Sequence, residues 1–469
     1  MWIATLGANC TLEGPAAERR RLRRLAIVRR RGRLAPGQAR WVRAFAETRS
    51  QLVLPIGLWP VVQRRLGAPR VIDRRHLGRP VAFQWRGRLY AWQRGPTQRC
   101  WEQGGGVLVA PPGAGKTVMG WACAAAWGRA TLWLVHTQDL ARQARQQAVR
   151  LTGIPPAHIV TVGAGEDGST VPAAIYIGMV QTLARHPEQV ARLAQHVGTV
   201  IVDEAHHCPA DTVRRILVRL PARYKLGLSA TPERTDGLGP LMRALLGPPV
   251  VVPLSALVPH RLVLPRVIRV PTPFRAPRGL PWARLDRLRA HDPVRQRGVA
   301  RLIVRAFRAG RRCLVLVHRV DHARALAALL QAAGVPALAV VGAVPPAVRD
   351  QAYQALAAGS AVVVATQLAD EGLDVPEADT LILAAPGRSL VRLAQQVGRV
   401  MRTAPGKTDA WVLDVMDTHV PVLHYHARIR AWWYRQWAIP VTDWTPPAAW
   451  WAPGGQPPVD DHRPAPVLS

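Results

Sequence analysis

Lysine is almost absent from this sequence: of 63 basic residues only Lys116, Lys225 and Lys407 are lysines, and the rest are arginines. One function class drops out at once. Nuclease cores of the D…[DE]-x-K type place an acid two residues before a lysine, and those positions hold Ala114, Arg223 and Pro405. Acid is scarce too, with 29 Asp and Glu against the 63 bases, which leaves a formal net charge of +34. Cysteine is thin and scattered. Cys10, Cys100, Cys123, Cys208 and Cys313 are odd in number and never in C-x-x-C spacing, which argues against a disulfide framework or a zinc ribbon. No apolar run approaches the ~18–20 residues of a membrane span. No basic segment precedes an apolar one at the N-terminus, as a secretory signal requires. The expected setting is the cytoplasm, away from membranes.

What is there fits a globular protein: 469 residues, 49% hydrophobic and 20% charged, room for about three domains at roughly 100–200 residues each. Positive charge gathers at one end. Residues 1–100 hold 22 Arg against Glu13, Glu18, Glu47 and Asp73, so +18 of the +34 lies there. The run RRRLRRLAIVRRRGR at 19–33 alone carries nine arginines. A surplus of this size is the electrostatic footprint of a polyanion-binding protein.

From about residue 86 the pattern becomes strand, loop and helix in alternation. Apolar strands are expected at 107–110, 130–136, 173–179, 199–203 and 224–230. After a Pro-rich stretch at 248–281, which reads as a connector, further strands follow at 312–318, 336–342, 361–366, 379–386 and 410–415. Continuous apolar strands alternating with helices imply parallel sheets covered on both faces. The expected architecture is therefore α/β. A basic N-terminal accessory region (1–85) precedes two tandem parallel-sheet domains (86–255 and 256–440), and a Pro/Trp-rich, mostly disordered tail follows (441–469). Six of the 17 tryptophans, Trp432, Trp433, Trp437, Trp444, Trp450 and Trp451, lie near that end. The first three are expected to pack a helix onto the second domain, with base stacking as the alternative.

Two motifs carry chemistry. APPGAGKT at 110–117 follows a strand and opens a helix, the context of a phosphate-binding loop. Pro112, Gly113, Ala114 and Gly115 form its curl, whose N–H groups and helix N-terminus face phosphate oxygens. Lys116 supplies charge to the β- and γ-phosphates of ATP, and Thr117 a hydroxyl to Mg²⁺. In TVIVDEAHH at 199–207, an apolar strand delivers two carboxylates to the sheet edge beside that loop. Asp203 is expected to hold Mg²⁺ through water, and Glu204 to orient the attacking water as general base.

With Asp203-Glu204-Ala205-His206 on the page, the sequence resembles the superfamily-2 DEAD/DEAH-box helicases, and within them the XPB-type and type III restriction-subunit-like helicases. The resemblance extends over about residues 86–440 and implies RecA-like domains. It makes Gln93 in RLYAWQR an adenine reader. LVHTQDLARQ (134–143) and MVQTL (179–183) look like backbone-gripping motifs, which implies nucleic-acid contacts by His136, Thr137, Gln181 and Thr182. LSATPERTDG (228–237) resembles motif III, so Ser229 and Thr231, with His206 of the box, would couple hydrolysis to movement. In the second domain ATQLADEGLDV (365–375) resembles motif V, placing Thr366 on the strand and Asp374 at the ribose or domain interface. QQVGRVMR (395–402) fits Q-x-x-G-R-x-x-R of motif VI. Gln395, Arg399 and Arg402 would then reach the γ-phosphate as the cleft between domains closes, and an arginine finger of this kind contributes roughly 10³–10⁵ in rate.

The implied activity is ATP-dependent translocation on or unwinding of nucleic acid, with DNA favoured over RNA. An RNA helicase, and an ATPase clamp or switch that separates no strands, stay open beside it. Because the chain carries no D…[DE]-x-K nuclease core, cutting within any restriction or defence complex would fall to a nuclease partner.

Overall fold

The computed structural model describes residues 1–30, 39–111, 113–163, 168–205, 210–230, 237–257, 262–342, 344–366 and 375–452. Two compact units divide the chain, Met1–Ala256 and Leu257–Ser469.

The first unit opens with a small sheet; QLVLPIGLWP at 51–60 reads as a short strand and turn, and the other strands are too short to show a period. Its strands are β1 (Ile3–Leu6), β2 (Asn9–Glu13), β5 (Ala46–Glu47), β6 (Gln51–Pro55) and β7 (Arg70–Asp73), in the order β5-β6-β2-β1-β7. A separate two-stranded ribbon joins β3 (Ile27–Arg29) to β4 (Trp41–Arg43). Ala4, Leu6, Cys10, Leu12, Leu52 and Leu54 are buried at alternate positions, the period-2 pattern of a strand with one covered face. Their core is continuous with that beneath Val200, Ile216 and Leu241. Not all the arginines are free for ligands. Arg19 is buried and donates to the carbonyls of Gly14, Arg49 and Ser50.

The large sheet of this unit contains β8 (Gly105–Val109), β9 (Thr131–Val135), β10 (Ile159–Val162), β11 (Ile175–Met179), β12 (Thr199–Val202), β13 (Tyr224–Ser229) and β14 (Pro249–Val251). All are parallel, in the order β10-β11-β9-β12-β13-β8-β14. The second unit repeats the plan with β15 (Pro265–Pro271), β16 (Cys313–Val317), β17 (Ala337–Val340), β18 (Val362–Thr366), β19 (Thr380–Leu383), β20 (Ala410–Met416) and β21 (Val441–Asp443). Its order is β17-β18-β16-β19-β20-β15-β21, again parallel throughout. The ten expected strands are all present, and β8 and β9 are buried at every position. Tandem parallel sheets clothed by helices are the expected RecA-like α/β architecture.

Two expectations need correction. The Pro-rich stretch 248–281 is not merely a connector, because β14 and β15 lie within it. The prolines of β15 stand at its two ends, where a missing N–H costs the ladder little, and Val267, Ile268 and Val270 between them are buried. Nor is the whole of 441–469 a loose tail. Val441–Asp443 pairs with β15, and Asp443 accepts two hydrogen bonds of 2.6 Å from Arg269. Trp450 is buried and donates to Gly298 O at 3.1 Å. A Cβ on Gly298 would stand 2.1 Å from the Trp451 ring, so glycine opens the slot in helix Pro293–Arg308 that these indoles fill. Residues 453–469 lie outside the described residues. Trp433 and Trp437 are buried on or beside helix Pro421–Gln436, packed as expected rather than offered to bases.

Among the described residues, no helix is long and apolar enough to cross a membrane, and no cluster of metal-ligating side chains forms. Cys10, Cys100, Cys123 and Cys313 are free and buried. Cys208 lies outside the described residues.

Candidate nucleotide site

At the carboxyl end of β8 the chain leaves the sheet into the glycine loop, and helix Lys116–Trp127 begins at once. Gly113 and Gly115 have φ of +78° and +72°, a conformation open to glycine at little cost. The loop is held from outside as well. Gln93, buried in helix Ala91–Glu102, donates its amide to Ala114 O at 2.9 Å, and its side-chain carbonyl accepts from Tyr90 N at 2.9 Å. Both ends of this amide are thus engaged in tying the helix start to the phosphate loop, a positioning task beside the adenine-reading role the resemblance implies.

Two strands away along the sheet edge, Asp203 follows directly on β12. The backbone N–H of Asp203 donates to Leu134 O at 2.8 Å, and that of Ala205 to Leu228 O at 2.8 Å. Neighbouring strands therefore fix the residues on either side of Glu204. Glu204 itself has φ of +43°, a left-handed conformation that is strained for a residue with a Cβ and characteristic of functional sites. Lys116 Nζ lies 3.9 Å from Glu204 Oε1 and donates to Ala110 O at 3.5 Å. Burial, reinforced by the adjacent Glu204 carboxylate, pushes the Asp203 carboxyl up to about 7, with Lys116 pulling the other way. Two carboxyl groups so placed beside one buried ammonium form a site short of positive charge.

One contributor was not legible in the sequence. Trp133 of β9 donates its indole N–H to Asp203 Oδ2 at 3.2 Å. The ring is fully buried and stacks on Trp121 of the phosphate-loop helix, centroids 4.0 Å apart. A tryptophan in an apolar strand reads as core, and nothing in its spacing advertises the hydrogen bond. Since a hydrogen bond to a charged group is worth about 1.5–3 kcal/mol, Trp133→Phe is expected to slow hydrolysis about tenfold. Phosphate release at saturating ATP checks this; an unchanged rate would show that Asp203 keeps its aim without the indole.

Of the remaining expected residues, those beside β9, β11, β13 and β18 fall at the carboxyl ends of their strands, whereas Arg402 bridges to Leu262, just ahead of β15. His136 and Thr137 follow β9, and the Thr137 hydroxyl caps helix Gln138–Thr152 by accepting from Leu140 N at 3.3 Å. Gln181 and Thr182 lie on the short helix after β11, Gln181 exposed and Thr182 half-buried. Ser229 ends β13, buried, with its carbonyl accepting from Ala110 N at 3.0 Å. In the second unit Thr366 is the buried last residue of β18. Gln395 and Arg399 lie on helix Leu390–Val400, with Arg402 just beyond it, at spacings of four and three that place them on one face; all three are half-buried. Pro112, His206, Thr231 and Asp374 lie outside the described residues.

Comparison with known proteins places this geometry. Residues 33–234 match the family described as type III restriction enzyme, res subunit, and residues 298–404 the helicase conserved C-terminal domain. The chain is 30% identical to a protein named DNA 3'-5' helicase XPB of Kineococcus radiotolerans, over 67% of this chain and 57% of that one. It is 33% identical to the protein of the same name in Mycobacterium tuberculosis, over 42% and 35% of the two chains. The structure resembles the ATP-dependent type ISP restriction-modification enzyme LlaBIII bound to DNA. That likeness has a TM-score of 0.56 at 13% identity and covers 77% of this chain and 32% of the other. The chain spans between 52% and 67% of the length of four further curated relatives it matches.

Proposed function

We propose that the chain is a superfamily-2 helicase and an ATP-driven DNA motor, a reading supported by its match to a restriction-subunit-type domain followed by a helicase C-terminal domain. One observation carries the reading: Lys116, Asp203 and Glu204 converge at the carboxyl edge of one sheet, beside a loop shaped for phosphate. The donor set suits a nucleotide with its metal. A loop of positive-φ glycines leaves backbone N–H groups to face a triphosphate, and a buried carboxyl with a raised pKa gains a cation by ionising. Thr117 and Asp203 would hold Mg²⁺, which supplies charge neutralisation to the β- and γ-phosphates.

The chain's own groups then divide the work. Lys116 draws charge from the γ-phosphate, and Glu204 takes a proton from the attacking water. Gln395, Arg399 and Arg402 of the second unit supply the remaining positive charge to the γ-phosphate, and Asp374 a contact to the ribose or its surroundings. Because phosphoryl transfer is governed by positioning and charge, hydrolysis advances only when both units serve one triphosphate. ATP thereby favours one state of the pair over another by its differential contacts. His206, Ser229 and Thr231 relay that change. His136, Thr137, Gln181, Thr182 and Thr366 grip the strand's backbone.

The +34 charge makes backbone phosphate the dominant contact, so affinity should fall steeply with salt. The test is phosphate release with matched single-stranded, duplex and forked DNA and RNA. DNA is expected to stimulate turnover more than RNA of the same sequence. Stronger stimulation by RNA would reassign the substrate, and stimulation without displacement of a labelled strand would make the chain a translocase or clamp. A nuclease partner supplies any cutting, and its capture would come after this result.

A further inference from the structure

The backbone between Glu204 and Ser229, which joins the proposed catalytic base to the coupling strand, is held at several points by residues 1–85. At the start of helix Ala210–Leu217, Asp211 pairs with Arg30 at 2.5 Å. At its other end Asn9 donates to Val218 O at 3.3 Å. Further on, His76 N donates to Pro221 O at 2.6 Å and Arg223 N to His76 O at 2.9 Å. Arg223 also pairs with Asp73 at 3.2 Å. Arg30, Asn9, Asp73 and His76 all belong to residues 1–85, outside the phosphate-binding motifs.

At the centre stands Lys225, on β13 and 4% exposed. Its Nζ donates to Leu217 O at 3.1 Å and to Ala8 O, in the β1–β2 turn, at 3.2 Å. Among the described residues no carboxylate pairs with it. A chain that uses arginine nearly everywhere keeps lysine at this point, where a compact amine that loses its charge readily fits and a guanidinium does not. Burial pushes the Lys225 amine down to about 7, and even the neutral amine has two N–H groups, enough for both carbonyls.

We infer that the N-terminal sheet is a working part of the ATPase, and that Lys225 is a positioning residue which locks the β1–β2 turn to the link between the catalytic base and the coupling strand. The inference rests on the proposed ATPase reading, and it assigns the accessory region a task within that site. Strain at Glu204 is kept only where surrounding structure over-determines the backbone, and this lock lies between Glu204 and the next strand.

The experiment compares full-length wild type with Lys225→Met, which keeps the aliphatic stem, and with Arg30→Asp, Asp211→Arg and the double reversal. Hydrogen exchange and ATPase kinetics are read below the melting transition of each variant. In Lys225→Met, exchange is expected to rise at residues 203–205 and 229–230 as well as locally. The kcat is expected to fall about 10- to 100-fold, the scale of a ~1 Å misplacement, with KM for ATP within about twofold. Each single reversal should lower kcat, and the double reversal should restore it. If Lys225→Met fails to fold, the reversal pair decides. Melting temperatures that fall while kcat and exchange at 203–205 stay unchanged would overturn the inference, leaving the contacts merely structural. Exchange reads the coupling whether or not ATP is hydrolysed, so a wild type without turnover would strike the proposed function alone.

Discussion

Glu204→Gln is expected to lower nucleic-acid-stimulated ATP hydrolysis by about 10²–10⁴-fold, the range of a lost general base, while ATP affinity changes little. The substitution keeps shape and hydrogen-bonding reach but cannot accept a proton at neutral pH. Glu204 follows the buried end of β12, its neighbours Asp203 and Ala205 are pinned to β9 and β13, and its carboxylate lies 3.9 Å from the Lys116 ammonium. An acid held in a strained backbone conformation at that point is suited to orient water toward a phosphate that Lys116 would hold. Phosphate release at saturating ATP, beside equilibrium binding of a fluorescent ATP analogue, separates loss of chemistry from loss of binding. Full turnover by Glu204→Gln would remove Glu204 from the reaction.

Arg399→Ala should cost more, roughly 10³–10⁵ in rate if it serves as the arginine finger. Arg399 and Arg402 belong to a different compact unit from Lys116, so their contribution would depend on the state of the pair, and that dependence makes hydrolysis a source of motion. The bland alternative is strong in a chain so rich in arginine, and the control follows from it. Arg324→Ala, exposed on helix Val320–Ala332 of the same unit, should leave the rate within about twofold, as surface changes of this kind do. Equal effects from Arg324→Ala and Arg399→Ala would return both to general electrostatics.

The placement of these residues was legible in the sequence where a short stretch sets it. The phosphate loop needs a strand, two glycines, a lysine and a helix in immediate succession, and β12 delivers Asp203 and Glu204 by simple continuation. Elements whose identity depends on distant partners were hidden. β15 looked like linker because Pro265 and Pro271 bracket it, and only its pairing with β20 and β21 makes it a sheet strand. Trp450 looked like part of a tail because the slot at Gly298 is more than a hundred residues away. The N-terminal strands run only two to five residues, too short for the alternation that marks a strand to stand out. Lys225 did leave a signal: a lone lysine within YKLGLS, in a sequence that otherwise writes arginine.

Service of one triphosphate by groups from both units is the central proposal, and a double-variant cycle tests it most directly. Phosphate release is measured with saturating ATP and DNA for wild type, Glu204→Gln, Arg399→Ala and the double variant. Groups acting on one chemical step behave as a unit, so the double variant should be about as slow as the slower single one. Arg399→Ala turning over at the wild-type rate, or two losses that multiply in full, would contradict it.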